Sequence, residues 1–115
     1  MSRLYEMTVE ISGSDRRKQK LIIDACCENW SFEEEVFHYA PITSALIASA
    51  QNYLCGGETE REFADRLTKA IWKANDAYCR VEVSATYLED QPCEHYVYDE
   101  SKYNDTRLGG PGLGR

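Results

Sequence analysis

The stretch "LYEMTVEIS" near the start of the chain alternates apolar and polar side chains. Tyr5, Met7, Val9 and Ile11 share one side of the alternation, and charged or polar residues fill the other. A period of two predicts a strand with one buried face. Because a sheet of such strands needs a helical layer on its apolar face, the pattern favours a two-layer α+β fold.

Two stretches with helical periodicity supply that layer. They are "RRKQKLIIDACCENW", which Ser14 or Asp15 can cap, and "ETEREFADRLTKAIWKAN". The second has acids in its first turns and lysines near its end, as the helix dipole favours. The predicted apolar stripes are Leu21, Ile22, Ala25, Cys26 and Trp30 in the first helix, and Phe63, Leu67, Ala70, Ile71 and Ala74 in the second.

Four further stretches read as strands: "EEEVFHYAP", "TSALIASAQNYLC", "AYCRVEVSATYL" and "EHYVYD". The resulting order, β-α-β-β-α-β with an extra C-terminal strand, predicts a ferredoxin-like split βαβ fold with two helices on one face of an antiparallel sheet. We expect one domain over residues 1–100. Residues 101–115, acidic and then Gly-rich, are expected to form a flexible tail. This fold hosts many functions, so activity must be argued from particular residues.

The 115 residues contain no apolar run approaching the roughly 20 residues of a membrane helix. The N-terminal segment has no apolar core of a signal peptide. Five cysteines, an odd number without a CxxC pair, are typical of free thiols in a reducing compartment. We therefore expect a cytoplasmic protein that has no membrane partner.

The net charge of −7 is unevenly distributed. Residues 1–20 carry five bases and three acids, whereas residues 21–115 carry eight bases and seventeen acids. An acidic body repels nucleic acid and attracts basic proteins. The balance indicates a basic or nucleic-acid-binding protein as partner, and no direct contact with nucleic acid.

The stretch "EDQPCEHYVYDESKYNDT", residues 89–106, holds six acids, one base and three tyrosines. Tyrosines are enriched in interface hot spots, and acids around them steer a basic partner. Spaced carboxylates also suggest imitation of a DNA backbone. The predicted contact surface consists of Glu89, Asp90, Glu94, Tyr96, Tyr98, Asp99 and Tyr103, with Glu33, Glu34 and Glu35 as a second acidic patch.

A small-molecule or metal-binding domain is the main alternative. Cys93 and His95 share one strand face, with His38 or Cys55 available to complete a zinc set, but no paired ligand spacing is present. Cys55 precedes Gly-Gly and a helix start, yet the acids of that turn would raise the pKa of its thiol. We predict no metal, no cofactor and no catalytic centre; a homo-oligomeric structural module, such as a homo-dimer, is the third alternative.

The segments "LCGGETEREFADRLTKAIWKAN" and "VEVSATYLEDQPCEHYVYDE", with the opening "MSRLYEMTVEISG", resemble small proteins of bacterial phages, plasmids and other mobile elements. The resemblance covers most of residues 1–100. It implies a setting in which short acidic proteins block a host nucleic-acid machine, as anti-CRISPR proteins do. It brings no catalytic residues, so the function expected is that of a non-catalytic inhibitor acting by protein contact.

Overall fold

The computed structural model describes residues 3–42, 44–54, 56–89 and 93–107, which form a mixed α+β structure. None of the helices in these ranges is long and apolar enough to span a membrane. The strands are β1 (Arg3–Ser12), β2 (His38–Ala40), β3 (Ala45–Leu54), β4 (Arg80–Tyr87) and β5 (Cys93–Tyr98); the helices are α1 (Gln19–Asn29), α2 (Glu60–Asn75) and α3 (Glu100–Arg107).

The five strands form one antiparallel sheet in the order β2-β3-β1-β4-β5. The predicted α+β class is therefore confirmed. An extra C-terminal strand was predicted, and β5 is hydrogen-bonded outside β4; the specific ferredoxin-like topology is not confirmed, because the five-strand order differs from that of the ferredoxin-like sheet. A third helix, α3, follows β5.

The central strand β1 carries the core that the alternation predicted. Tyr5, Met7, Val9 and Ile11 are each at most 1% exposed. Alternate residues on both neighbours continue this apolar face, since Val9 lies opposite both Ala48 and Val83. Helices α1 and α2 cover it. No α-helix of the described residues covers the other face, which we call the open face.

The first helix is rotated relative to the prediction. Ile22, Ile23 and Cys26 are buried, whereas Leu21 is 52% exposed. Three consecutive apolar residues, 21–23, leave the helix phase ambiguous in the sequence. In the structure α1 packs against α2 with Ile23 buried and Leu21 exposed.

The second helix starts with a capping box between Thr59 and Glu62 and ends at Asp76, which adopts φ 60°. Phe63, Leu67 and Ile71 are buried as predicted. The buried stripe is wider than expected, because Ala64, Thr68, Trp72 and Asn75 are also buried and Ala70 and Ala74 lie at its margin.

The segment predicted to be a flexible tail is helical over residues 101–107, as part of α3. Tyr103 anchors it, with its ring centroid 5.0 Å from that of Trp72 and 5.6 Å from that of Tyr78. The remaining part of the predicted tail, residues 108–115, lies outside the described residues. The aromatic packing of Tyr103 thus attaches this polar segment to the rest of the domain.

Candidate functional site at the fifth strand

Strand β5 positions most of the residues that the sequence singled out. Tyr96 lies opposite Val83 and Tyr98 opposite Val81 on β4. Both valines are buried, so these tyrosines point toward the helical layer, whereas His95 points to the open face. The predicted alternation is present, but it directs the tyrosines inward.

Tyr98 is 7% exposed, and its hydroxyl donates a hydrogen bond of 2.5 Å to Asp65 on α2. Burial, and secondly the bond to the Asp65 carboxylate, raise the pKa of Tyr98 well above its usual value. Tyr96 is half-buried, with the Arg61 guanidinium 5.5 Å from its ring centroid. Together with Tyr103, these side chains attach β5 and α3 to α2 and offer a partner less area than expected.

Exposed acids lie on this strand and near its ends in the chain. Glu89 and Glu94 are exposed, and Asp99 and Glu100 are exposed where α3 begins. We call these four residues the β5 margin. None of them forms an ion pair with another described residue, although Asp99 accepts the Lys102 backbone N–H at 3.1 Å. Asp90 lies outside the described residues.

The second acidic patch, residues 33–35, has a different environment. All three glutamates are exposed, but the Lys20 ammonium is 3.6 Å from the Glu34 carboxylate and 3.1 Å from that of Asp24. The hydrogen bond to Asp24, then the charges of Asp24 and Glu34, raise the pKa of Lys20. Lys20, from the basic N-terminal stretch, therefore offsets part of the negative charge of this patch.

The open face brings together a serine, a histidine and a glutamate. The Ser84 hydroxyl is 2.8 Å from His95 Nδ1, and His95 Nε2 is 3.1 Å from the Glu82 carboxylate. A hydrogen-bonded serine, histidine and carboxylate is an arrangement used in nucleophilic catalysis. Acyl transfer also needs hydrogen-bond donors that point at the developing oxyanion. Ser84 lies on β4, which pairs on both sides, with β1 and with β5, so the backbone N–H groups beside it serve the sheet. We assign the cluster no catalytic role.

The residues proposed for a metal do not converge. Both ring nitrogens of His95 face protein partners, and His38 lies on the opposite edge strand, about 19 Å away at the usual strand spacing. Within the described ranges, no three His, Cys, Asp or Glu side chains are grouped to hold a metal ion. Cys93 is exposed, and Cys55 lies outside the described residues.

The Gly-Gly turn before α2 has φ of +74° at Gly56 and +76° at Gly57, a conformation that glycine adopts without strain. The Glu58 carboxylate beside it accepts two hydrogen bonds of 2.9 Å from the Arg66 guanidinium. Arg66 also donates to the Asn29 side-chain oxygen at 2.7 Å. The Arg66 guanidinium near this turn is therefore already bound by Glu58 and Asn29.

Sequence reasoning missed Asp65, Thr68, Glu82 and Ser84. Glu82 and Ser84 meet His95 only through the pairing of β4 with β5, which no local pattern specifies. Thr68 had a signal, because a hydroxyl lies on an apolar stripe four residues after Ala64. Its Oγ1 is buried without a hydrogen-bond partner among the described residues, which usually costs about 1–3 kcal/mol.

Comparison with protein-family models, with curated proteins and with solved structures finds no match to this chain. The resemblance to mobile-element proteins therefore stays a prediction. Any functional argument must come from the geometry and charge of the residues described above.

Proposed function

We propose that this protein is a non-catalytic binding protein whose β5 margin captures a basic partner protein. One observation carries the proposal: Glu94 on the edge strand β5, and Glu89, Asp99 and Glu100 near the ends of that strand in the chain, are exposed and form no ion pair with described residues. The free thiols of the described cysteines agree with action in the reducing cytoplasm. For the fold, we propose a split βαβ plan extended by β5.

An edge strand presents unpaired backbone donors and acceptors along its outer side, where an extended segment of another chain can add a strand. The exposed Cys93, Glu94 and His95 border this side. The acids attract Lys or Arg side chains and raise the rate of encounter with a basic protein. Backbone pairing would supply affinity, and charge would supply selectivity.

A second copy of this chain fits the same edge less well. Pairing two β5 strands brings two acidic margins together, and like charges on adjacent strands are destabilising. The homo-oligomer alternative is therefore disfavoured by charge. More specifically, we propose that the partner is a nucleic-acid-binding complex. The β5 margin inhibits this complex by occupying the groove that binds the phosphates of the nucleic acid.

The test is a charge-reversed variant, Glu94→Lys with Asp99→Lys and Glu100→Lys, used as bait in a pull-down from bacterial lysate. Its matched control is Glu33→Lys with Glu34→Lys and Glu35→Lys, which changes the net charge by the same amount. We expect the wild-type chain and the control to retain one basic partner and the β5-margin variant to lose it. Circular dichroism checks that both variants fold.

Purified partner then allows the affinity to be measured against salt concentration. Weakening as salt rises supports electrostatic capture, because salt screens exposed charges. The proposal is overturned if the β5-margin variant binds as tightly as the wild-type chain, or if the retained partner is acidic. Light scattering across protein concentration detects self-association, which would return the edge to the homo-oligomer alternative.

A further inference from the structure

The register of the sheet identifies which backbone groups of β5 point outward. In an antiparallel pair of strands, the N–H and C=O of one residue point to the same side, and successive residues point to opposite sides. The Leu88 N–H donates to the Leu4 carbonyl at 3.0 Å, so the even-numbered residues of β1 point to β4. They lie opposite even-numbered residues of β4, which leaves the odd-numbered residues of β4 to bond to β5.

The even-numbered residues of β5 lie opposite these and bond to β4. The backbone groups of Cys93, His95 and Val97 therefore point away from the sheet. Among the described residues, β5 pairs with β4 alone. The Lys102 side chain agrees with this direction, because its ammonium group reaches the Val97 carbonyl from outside the sheet and donates to it at 2.6 Å.

Lys102 closes one end of this outer side. Its ammonium group bonds to the Val97 carbonyl and lies 5.0 Å from the centroid of the buried Tyr98 ring, so α3 holds the lysine over the end of the strand. Lysines often protect edge strands, because a charged side chain hinders pairing with another chain. The length left for pairing is residues 93–96, about 13 Å at the usual rise of a strand.

The helical side of this edge favours a cation. Glu94 and Tyr96 lie opposite the buried Ala85 and Val83, so both point to the helical layer. Burial, and then the charge of Glu94, raise the pKa of Tyr96. Tyr96 already has the Arg61 guanidinium 5.5 Å from its ring centroid, whereas Glu94 is exposed. Because opposite charges on facing residues stabilise a strand pair, a basic side chain belongs opposite Glu94.

The other side of the edge favours an apolar side chain. Cys93 and His95 point to the open face, and the ring nitrogens of His95 are hydrogen-bonded to Ser84 and Glu82. A neighbouring apolar group therefore leaves no ring nitrogen of His95 unsatisfied. β-Branched residues are the apolar residues that strands prefer. A segment that alternates basic and β-branched residues thus matches both sides of β5.

We propose that the outer side of β5 takes an extended segment of a basic protein as a sixth, antiparallel strand. Lysine or arginine of the segment lies opposite Glu94, β-branched residues lie opposite Cys93 and His95, and Lys102 ends the pairing at Val97. Antiparallel addition is the more stable arrangement per residue. The inference rests on the proposed capture of a basic partner and adds the way in which that partner is held.

The experiment adds capped hexapeptides to the ¹⁵N-labelled full chain at low salt. The main probe alternates lysine and valine, and its matched control alternates glutamate and valine. With the lysine peptide we expect saturable amide shifts at residues 93–97 and slower hydrogen exchange of the three outward amides. The amides of Glu94 and Tyr96 already bond to β4 and should change little. The glutamate peptide should bind at least about fivefold more weakly.

Two N-methylated forms of the lysine peptide test the register. When lysine lies opposite Glu94 in an antiparallel strand, the valine N–H groups point to β5 and the lysine N–H groups point away. Methylation of the valine nitrogens should therefore abolish binding, whereas methylation of the lysine nitrogens should leave most of it. Binding that survives methylation of the valines would overturn the inference.

The variant Lys102→Met removes the ammonium group and keeps a side chain of similar length. We expect it to bind the lysine peptide about two- to tenfold more tightly, because the Val97 carbonyl becomes available for one more hydrogen bond. Lys69→Met on α2 is the matched control, since it removes the same charge, and it should bind as the wild-type chain does. Equal affinities of the two variants would contradict the role of Lys102.

Three further results would overturn the inference: no saturable shifts with the lysine peptide, equal binding of the glutamate peptide, or unchanged exchange of the three outward amides. The pull-down with the charge-reversed bait keeps this outcome distinct from the proposed function. If that bait loses a basic partner while the lysine peptide protects none of these amides, capture by charge stands and only the added strand is wrong.

Discussion

The two edges of the sheet are managed in different ways. On the β2 side, the Trp30 indole N–H donates to the Ala50 carbonyl at 2.9 Å, and the Ser31 hydroxyl donates to the Gln51 carbonyl at 3.0 Å. These bonds attach the connection after α1 to β3, beyond the three residues that pair with β2. On the β5 side, tyrosines attach the strand from its inner face, and exposed acids lie on the strand and near its ends in the chain.

The β2 edge is therefore closed, whereas the β5 edge is available to a partner. The connection after α1 covers the first edge, and Lys20 offsets part of the nearby acidic charge. No comparable cover lies over residues 93–96 among the described residues, and the β5 margin has no ion-paired base there. The difference therefore favours β5 over β2 as the edge that meets a partner, and four measurements test it.

The largest effect is expected at the closed edge. Trp30→Ala removes a buried ring, which packs at 5.0 Å from Phe63, together with the hydrogen bond to Ala50. We expect a loss of about 3–5 kcal/mol in the free energy of unfolding, measured by urea denaturation. Trp30→Phe, which keeps most of the ring, should lose less. A loss below about 1 kcal/mol would mean that Trp30 does not secure this edge.

At the β5 side, Tyr98→Phe removes only the hydroxyl that donates to Asp65. We expect a loss of about 1–3 kcal/mol in the free energy of unfolding, since a buried bond to a charged acceptor is broken. Tyr96→Phe is the matched control, and it should be near neutral. Equal losses in the two variants would show that the Asp65 bond does not attach β5 to α2.

The same hydroxyl predicts sensitivity to alkali. Its raised folded-state pKa means that its stabilisation is complete below the unfolded value of about 10 and is lost as pH rises toward the folded value. Above pH of about 10, wild-type stability should fall more steeply than that of Tyr98→Phe, by at most about 1.4 kcal/mol per pH unit. Parallel curves from urea denaturation at several pH values would contradict this assignment.

The smallest effect concerns the charges beside β2. Lys20→Ala removes the ammonium group between Asp24 and Glu34, and such exposed ion pairs contribute little because water and salt screen them. We expect a small decrease in the melting temperature that shrinks at high salt, measured by thermal denaturation. Glu94→Ala at the β5 margin should cost nothing or slightly stabilise the fold. A larger loss for Glu94→Ala would show an unrecognised contact at β5.

Prediction from the sequence succeeded where a local period decides which face is buried. The alternation of β1 placed Tyr5 and Met7 in the core, and the periodicity of α2 placed Phe63 and Leu67 there. It was wrong for Leu21, because three adjacent apolar residues allow more than one helix phase. It also treated α3 as a tail, since one anchoring tyrosine in a polar segment gives no period to read.

The candidate site was foreseen in part. The exposed acids at Glu94 and Asp99 were read correctly as surface, because charged groups are rarely buried without partners. The tyrosines beside them were expected to face a partner, but Tyr98 is buried against Asp65. Alternation predicts that neighbouring side chains on a strand point to opposite faces of the sheet. It does not predict which face is buried when both faces carry polar and apolar residues, as in β5.

Periodicity and charge along the chain were sufficient to predict the α+β class, the strands and main helices, and the exposed acids. Three features are visible only in the packed structure: which edge is closed, how β5 and α3 attach to α2, and where the Thr68 hydroxyl lies. Those features arise from contacts between residues far apart in the chain, such as Tyr98 with Asp65 and Trp30 with Ala50. Their energies depend on burial and geometry that exist only after the sheet and helices have packed.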